Sequence, residues 1–258
     1  MPVMPLDFTP TLAKVYDPRQ HTQSYWIQAK IDGVRCIATK EGEEVILYTR
    51  HGNPIKGFNK IRKELQNLLN EGDYLDGELY SYDLSFEEIC SCVRTGKGNL
   101  LFIIFDFIQN NKSEMVFSQR WNALRETFNG LKYILPVDQL EKPVRSKKSI
   151  EEATAYFVQM GFEGAILRSE SKHVDGRNDT LLKNKPFQDD EFTMTDFEVT
   201  KTGRFMAHLI NEHGQSFKAS CARACACSIN KKVTVRFQGL TSKGIPRFAR
   251  VITARDYE

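Results

Sequence analysis

The chain has 258 residues, a length that calls for one large domain or two unequal ones and suffices to bury a core without disulfide or metal staples. Its 41% apolar and 27% charged residues match an ordinary globular protein, which excludes fibrous and largely disordered classes. The formal charge is only +3, but residues 190–258 hold 11 Lys/Arg against 7 Asp/Glu while residues 1–189 hold 25 against 26, so the basic excess sits at the C-terminal end and hints at a polyanionic partner.

No apolar run approaches the roughly 18 residues that span a bilayer; the longest is 100–105. The opening MPVMPLDFTP has no basic stretch leading into an apolar one. No membrane association and no secretion are expected. The expected location is the cytoplasm, or the host cytoplasm or nucleus if the protein is viral. Six cysteines in such a chain read as reduced thiols.

Residues 25–31, 34–40 and 44–50 are β-rich runs joined by Asp32-Gly33 and Glu41-Gly42-Glu43, a pattern of antiparallel hairpins. Over 58–70 the period changes: Ile61, Leu65, Leu68 and Leu69 share one helical face. Ser85 with Glu88, and Ser149 with Glu152, have capping-box spacing and predict two more helices, the second ending at Gly161. Residues 100–108 read as a strand buried on both faces.

Beyond Pro186 five short strand candidates follow, at 191–200, 204–211, 216–219, 232–238 and 247–254, most of them separated by Gly-containing turns. Such a segment fits the five-stranded OB-fold barrel. The fold class expected is therefore α+β: a first domain over 1–189 of mixed antiparallel sheets with helices, and an OB-fold domain over 190–258.

The segment richest in chemistry is Lys30-Ile31-Asp32-Gly33 with Arg35. By itself it could be a hairpin with exposed charges. Four more segments follow it in order: Asp76-Gly77-Glu78-Leu79-Tyr80, Phe105-Asp106-Phe107, Glu163-Gly164-Ala165-Ile166-Leu167-Arg168 and Leu182-Lys183-Asn184-Lys185-Pro186. The series resembles the covalent nucleotidyltransferases, and within them the minimal ATP-dependent DNA ligases. The resemblance runs from Leu12-Ala13-Lys14 to Pro246-Arg247-Phe248.

That resemblance implies an adenylyltransferase domain followed by the OB domain, and the sealing of 5′-phosphate/3′-hydroxyl nicks in duplex DNA through lysyl-AMP and DNA-adenylate intermediates. ATP would be the cofactor, with Mg²⁺ or Mn²⁺, and the enzyme a monomer on nicked duplex DNA. Lys30 would be the nucleophile. A free lysine has a pKa near 10.4, so only about one in a thousand is neutral at pH 7.4, and neighbouring cations or a metal must activate it. Lys183 and Lys185, two apart on an expected strand, would face Lys30 together and stabilise the transferring phosphate.

By the same resemblance Glu78 would accept from the ribose hydroxyls and Arg35 would contact the ribose. Phe105 would stack on the purine, with plain core as the competing reading, and Gln28 would meet the adenine edge. Glu163 would be the metal carboxylate. Asp32 would act in the later steps, and Arg50, in Tyr48-Thr49-Arg50-His51-Gly52, would bind the AMP phosphate and then the nick 5′-phosphate. Arg247 would orient the leaving pyrophosphate, with Arg250 and Arg255 as weaker matches. If Arg247 acts on ATP, the barrel must close and reopen, which makes 188–191 a hinge candidate.

Cys221, Cys225 and Cys227 form C-x₃-C-x-C without a nearby His, a poor match to structural zinc. They read as incidental thiols, and the basic 142–148 stretch as a solvated connector. A capping guanylyltransferase, an RNA ligase and a degenerate nucleotide-binding scaffold are the alternatives. Labelling by GTP, preference for a ribose 3′-end, or no reaction would select among them. DNA affinity is expected to fall steeply with salt.

Overall fold

The computed structural model describes residues 8–110, 114–241 and 243–254; Arg255 lies outside them. The chain divides into two compact units, Met1–Asn184 and Lys185–Glu258.

The first unit holds two sheets. One has the order β1 (Thr11–Val15), β9 (Gly176–Asn184), β8 (Gly164–Arg168), β2 (Trp26–Lys30). The other runs β4 (Glu44–Thr49), β3 (Val34–Glu41), β5 (Tyr74–Tyr80), β6 (Leu101–Ile108), β7 (Ile134–Pro136). The chain crosses from one sheet to the other at Ile31-Asp32-Gly33, between β2 and β3. Gly33 is needed there because a Cβ would lie 2.7 Å from the Leu79 carbonyl oxygen. The two sheets and the helices share one apolar core that includes Ile27, Leu47, Leu65, Phe102 and Leu167, each fully buried large side chain being worth about 1.5–3 kcal/mol.

The helices are α1 (Asn59–Leu65), α2 (Phe86–Thr95), α3 (Phe117–Thr127) and α4 (Lys147–Gln159). α1 is shorter than the period over 58–70 suggests, yet Ile61, Leu65 and Leu69 are buried as that period requires. α2 has the full capping box: Glu88 N–H donates to Ser85 Oγ at 3.3 Å and Ser85 N–H donates to Glu88 Oε2 at 2.8 Å. α4 starts earlier than Ser149 predicts. Its cap is Ser146, whose Oγ accepts from Ser149 N–H at 3.0 Å, so Ser149 is inside the first turn.

In the second unit β10 (Gln188–Val199), β11 (Phe205–Ile210), β12 (Ser216–Ser220), β13 (Lys232–Phe237) and β14 (Arg250–Ala254) close into a barrel in the order β10-β11-β12-β14-β13. Phe192, Met194, Leu209, Val233 and Val235 fill it. The division falls after Asn184 rather than Asp189 because Gln188 and Asp189 already pair with Phe237 and Arg236. The hinge expected at 188–191 therefore falls inside a paired strand; the residues outside any strand are Lys185, Pro186 and Phe187. β14 begins at Arg250 rather than 247, because Arg247 and Phe248 form a turn with Phe248 at φ 55°. Cys221 and Cys225 pack partly against the barrel core, and Cys227 is exposed. No helix among the described residues is long and apolar enough to cross a membrane.

Candidate active site

The first unit carries a cleft of about 470 Å³ whose lining includes Lys30, Glu78, Phe105 and Lys183. All five of the ordered sequence segments thus meet in one place, Ile166 and Arg168 representing the fourth. They do so because β2, β8 and β9 are neighbours in one sheet while β3, β5 and β6 are neighbours in the other.

Lys30 ends β2 opposite Gly164 on β8. Its carbonyl accepts from the Glu163 N–H at 2.9 Å, and its Nζ is ion-paired with Glu163 Oε2. The antiparallel register therefore delivers Glu163 to the lysine. Lys183 lies on β9 opposite Ile166. Burial and then the charges of Lys30 and Arg177 lower its amine below the ordinary lysine value.

Glu78 lies on β5 opposite Arg35, and its Oε2 accepts from Gly33 N–H at 2.9 Å. Burial pushes its carboxyl up to about 7, the cations Lys30 and Arg35 only partly offsetting the loss of solvent. Phe105 is half-buried in a strand whose residues 102–104, 106 and 107 are buried, so one aromatic of that run reaches the cleft. Arg35 and Arg168 place their guanidinium carbons 4.8 and 5.2 Å from the centroid of its ring.

Several expected residues have other commitments. Arg35 lines the cleft, but its guanidinium is ion-paired with the buried Asp76 and donates to the Thr11 carbonyl at 3.3 Å. Gln28 also lines the cleft, and its amide is engaged within the protein. Nε2 donates to Phe105 O at 3.3 Å and Gln139 Oε1 at 3.0 Å, and Oε1 accepts from Arg168 Nε at 2.6 Å. Asp32, in the crossover, does not line the cleft, although its charge helps raise Glu78.

Arg50 lines the cleft from the exposed turn after β4, beside His51. Lys185 is not on β9 with Lys183: the strand ends at Asn184, because Pro186 has no N–H to continue the ladder. Its Nζ lies 5.8 Å from the centroid of the Phe248 ring. Arg247 is held in its turn, with its N–H on Gly239 O and its carbonyl accepting from Gln238 N–H, each at 3.0 Å.

Two charged cleft residues escaped sequence reasoning. Arg177, at the start of β9, bonds the Ala13 carbonyl, and Arg168 is the buried end of β8. Arg168 belonged to a recognised segment, yet nothing local showed that it would turn inward. Among the described residues no three His, Cys, Asp or Glu side chains group as a metal site. One or two carboxylates beside a cleft fit a hard cation held mainly by phosphate oxygens and water, and fit a fully protein-ligated ion poorly.

Comparisons with known proteins agree with this arrangement. Residues 10–185 match the ATP dependent DNA ligase domain. The chain is 25% identical over 241 residues to a DNA ligase of Haemophilus influenzae, covering 87% of this chain and 84% of that protein. It is 24% identical over 213 residues to DNA ligase 4 of Gallus gallus, covering 69% of this chain and spanning only 23% of that much longer protein. A solved Lig E DNA ligase superposes with a TM-score of 0.75 at 25% identity, covering 97% of this chain and 100% of that one. Chlorella virus DNA ligase-adenylate superposes with a TM-score of 0.58 at 21% identity over 97% of this chain and 99% of that one, a likeness of fold.

Proposed function

The chain belongs to the ATP-dependent DNA ligase family, and on that footing we propose that it joins 5′-phosphate and 3′-hydroxyl ends at nicks in duplex DNA, using ATP and acting as a monomer. The observation that carries this reading is the meeting of Lys30 with Glu78, Phe105, Glu163 and Lys183 at one cleft. We read the barrel as an OB-fold and the first unit as the adenylyltransferase domain.

In this reading Lys30 Nζ attacks the α-phosphorus of ATP. The N–P bond forms, the bond to pyrophosphate breaks, and pyrophosphate leaves. Nζ must first give up its proton, a loss that its ion pair with Glu163 Oε2 opposes. Lys183 adds a second cation, and two ammonium groups that repel hold their protons less readily than two isolated lysines. The same positive charge then faces the phosphate in flight. Phe105 offers a ring for the purine, and Glu78 an acceptor for the ribose.

Glu163 would hold Mg²⁺ or Mn²⁺ together with phosphate oxygens, and the ion would neutralise charge on the transferring phosphate. Arg50 suits the AMP phosphate and then the nick phosphate, Asp32 the later steps, and Arg247 the pyrophosphate. Lys185 is assigned to phosphate by its segment. Arg35, anchored on Asp76, serves the ribose side of the cleft.

The test is sealing of a labelled, singly nicked duplex with ATP and Mg²⁺, beside Lys30→Ala. Wild type is expected to join the strand, and the variant to lose both joining and self-adenylylation while keeping its circular-dichroism spectrum. Sealing by Lys30→Ala would remove the nucleophile from the scheme. Labelling by GTP but not ATP would replace the reaction class.

A further inference from the structure

Arg168 takes part in none of the steps above, yet it lines the cleft and is bonded to side chains on two other strands. It is 5% exposed. On the antiparallel pair β2/β8, Gln28 lies opposite Ile166, so Arg168 is its diagonal neighbour on the same face. Arg168 Nε donates to Gln28 Oε1 at 2.6 Å, and Nη1 donates to Asp106 Oδ2 at 2.9 Å. Asp106 is held from its other side by Arg120, at 2.8 and 3.1 Å.

The consequences reach the cleft through two routes. Gln28 is 1% exposed, and with its oxygen fixed by Arg168 its amide hydrogens must point to Phe105 O and Gln139 Oε1. The Phe105 backbone is thereby tied to β2. The Phe105 ring is also within cation–π range of Arg168, as well as of Arg35. A ring whose backbone and π system are both restrained is already set before a ligand arrives, so binding need not order it.

We propose that Arg168 is a positioning residue for the purine: through the Gln28 amide and the Phe105 ring it fixes the shape of the base subsite. The proposal rests on the reading of the cleft as an ATP site. It assigns Gln28 an internal task in place of a direct contact with the adenine edge. A network that merely satisfied buried polar groups would predict lost stability with no effect on nucleotide affinity, and that is the alternative to defeat.

The experiment measures single-turnover self-adenylylation against ATP concentration for wild type, Arg168→Lys, Gln28→Leu and the double variant. Arg168→Lys keeps a cation beside Asp106 but loses the forked donation. Gln28→Leu removes the amide and leaves the Asp106 pairs intact, so one variant stays informative if the other folds poorly. Melting temperatures provide the folding control.

Each single variant is expected to raise the half-saturating ATP concentration about tenfold, the equivalent of roughly 1.4 kcal/mol. The rate at saturation should change far less, and labelling by GTP relative to ATP should rise. The double variant should be no worse than the weaker single one, because both changes cut the same chain of contacts. Unchanged half-saturation in both variants, with only the melting temperature lowered, overturns the proposal and leaves the ATP reading in place. Failure of wild type to label with ATP overturns the ATP reading, and this proposal with it.

Discussion

Asp76 and Asp106 face each other across β5 and β6, both buried at 2% exposure, and each is neutralised by a different arginine pairing. Arg35 takes Asp76, while Arg120 and Arg168 share Asp106. Two opposed carboxylates inside one sheet would repel unless each were paired, so these arginines are conditions of the fold, and Arg35 and Arg168 also line the cleft. Burial alone would raise Asp106, but Arg120 and Arg168 outweigh it and hold its carboxyl at about 2.

Asp106→Asn should therefore cost about 3–5 kcal/mol, because it leaves two buried guanidinium groups facing a neutral amide. The pH dependence has a definite sign. A carboxyl lowered from 3.8 to about 2 stabilises the fold fully above its unfolded value, and that stability fades as pH falls from about 4 towards 2. Urea midpoints measured between pH 6 and pH 3 check both statements. Wild type should lose more stability than the variant over the lower part of the range, and parallel curves would refute the Asp106 contribution.

Glu78 carries the opposite sign. Its carboxyl is raised to about 7 by burial, so the folded chain binds this proton between pH 4.5 and 7 where the unfolded chain has released it. The contribution to stability is present below about 4.5 and is lost as pH rises through 7. If Glu78 accepts from the ribose hydroxyls, as proposed, its ionised form is the better acceptor, so ATP affinity should improve through an inflection near 7. Glu78→Gln should flatten that inflection and weaken ATP binding by roughly 1–3 kcal/mol, the cost of a lost charged hydrogen bond. Half-saturation for self-adenylylation from pH 6 to pH 8.5 is the measurement. An inflection surviving in Glu78→Gln would assign the titration elsewhere.

How much could be read beforehand follows from which signals are local. The β2–β4 runs are β-rich and carry Gly at their turns, and most barrel strands are β-rich runs next to Gly-containing turns, so they showed themselves within a few residues. Ser85 and Glu88 announced α2 because both halves of its cap lie within four residues. α3 had no such signal. Its cap position is Val116, which has no side-chain acceptor, and the first turn is closed by Gln119 Oε1 accepting from Val116 N–H at 3.0 Å. β1 pairs in parallel with β9, Thr11 opposite Gly176, and no local pattern encodes a partner that far along the chain. In the site, residue types at Lys30, Glu78 and Glu163 were legible from their segments. The commitments of Gln28, Arg35 and Arg168 were not, because Gln139, Asp76 and Asp106 lie on other strands or loops. For Lys185 the cue was present in Pro186, which ends the strand.

Lys30 is among the charges that lower the Lys183 amine, and in the proposed reaction the same repulsion acts on Lys30 in return. Lys183→Met keeps the stem and removes the cation, so the Lys30 proton should leave less readily. The rate of self-adenylylation at pH 7 should fall by about 10²-fold or more, the usual scale for a group that stabilises transferring charge. Its pH–rate profile should move to higher pH, whereas a role confined to ATP binding would raise half-saturation and leave the profile where it was. Rapid-quench rates from pH 6.5 to pH 9.5 separate these outcomes.

Arg247 is presented from a turn pinned on both sides, with Phe248 in the left-handed region that non-glycine residues seldom occupy. Strain of that kind persists where the surrounding structure holds it, and here the holding bonds go to Gln238 and Gly239. If Arg247 orients pyrophosphate, Arg247→Ala should slow lysine adenylylation by at least about tenfold to a hundredfold. Sealing of a nick supplied already adenylylated should remain close to wild type, because no pyrophosphate leaves in that step. Parallel assays on ATP alone and on pre-adenylylated nicked DNA make the comparison, and an equal fall in both would move Arg247 from the leaving group to the DNA.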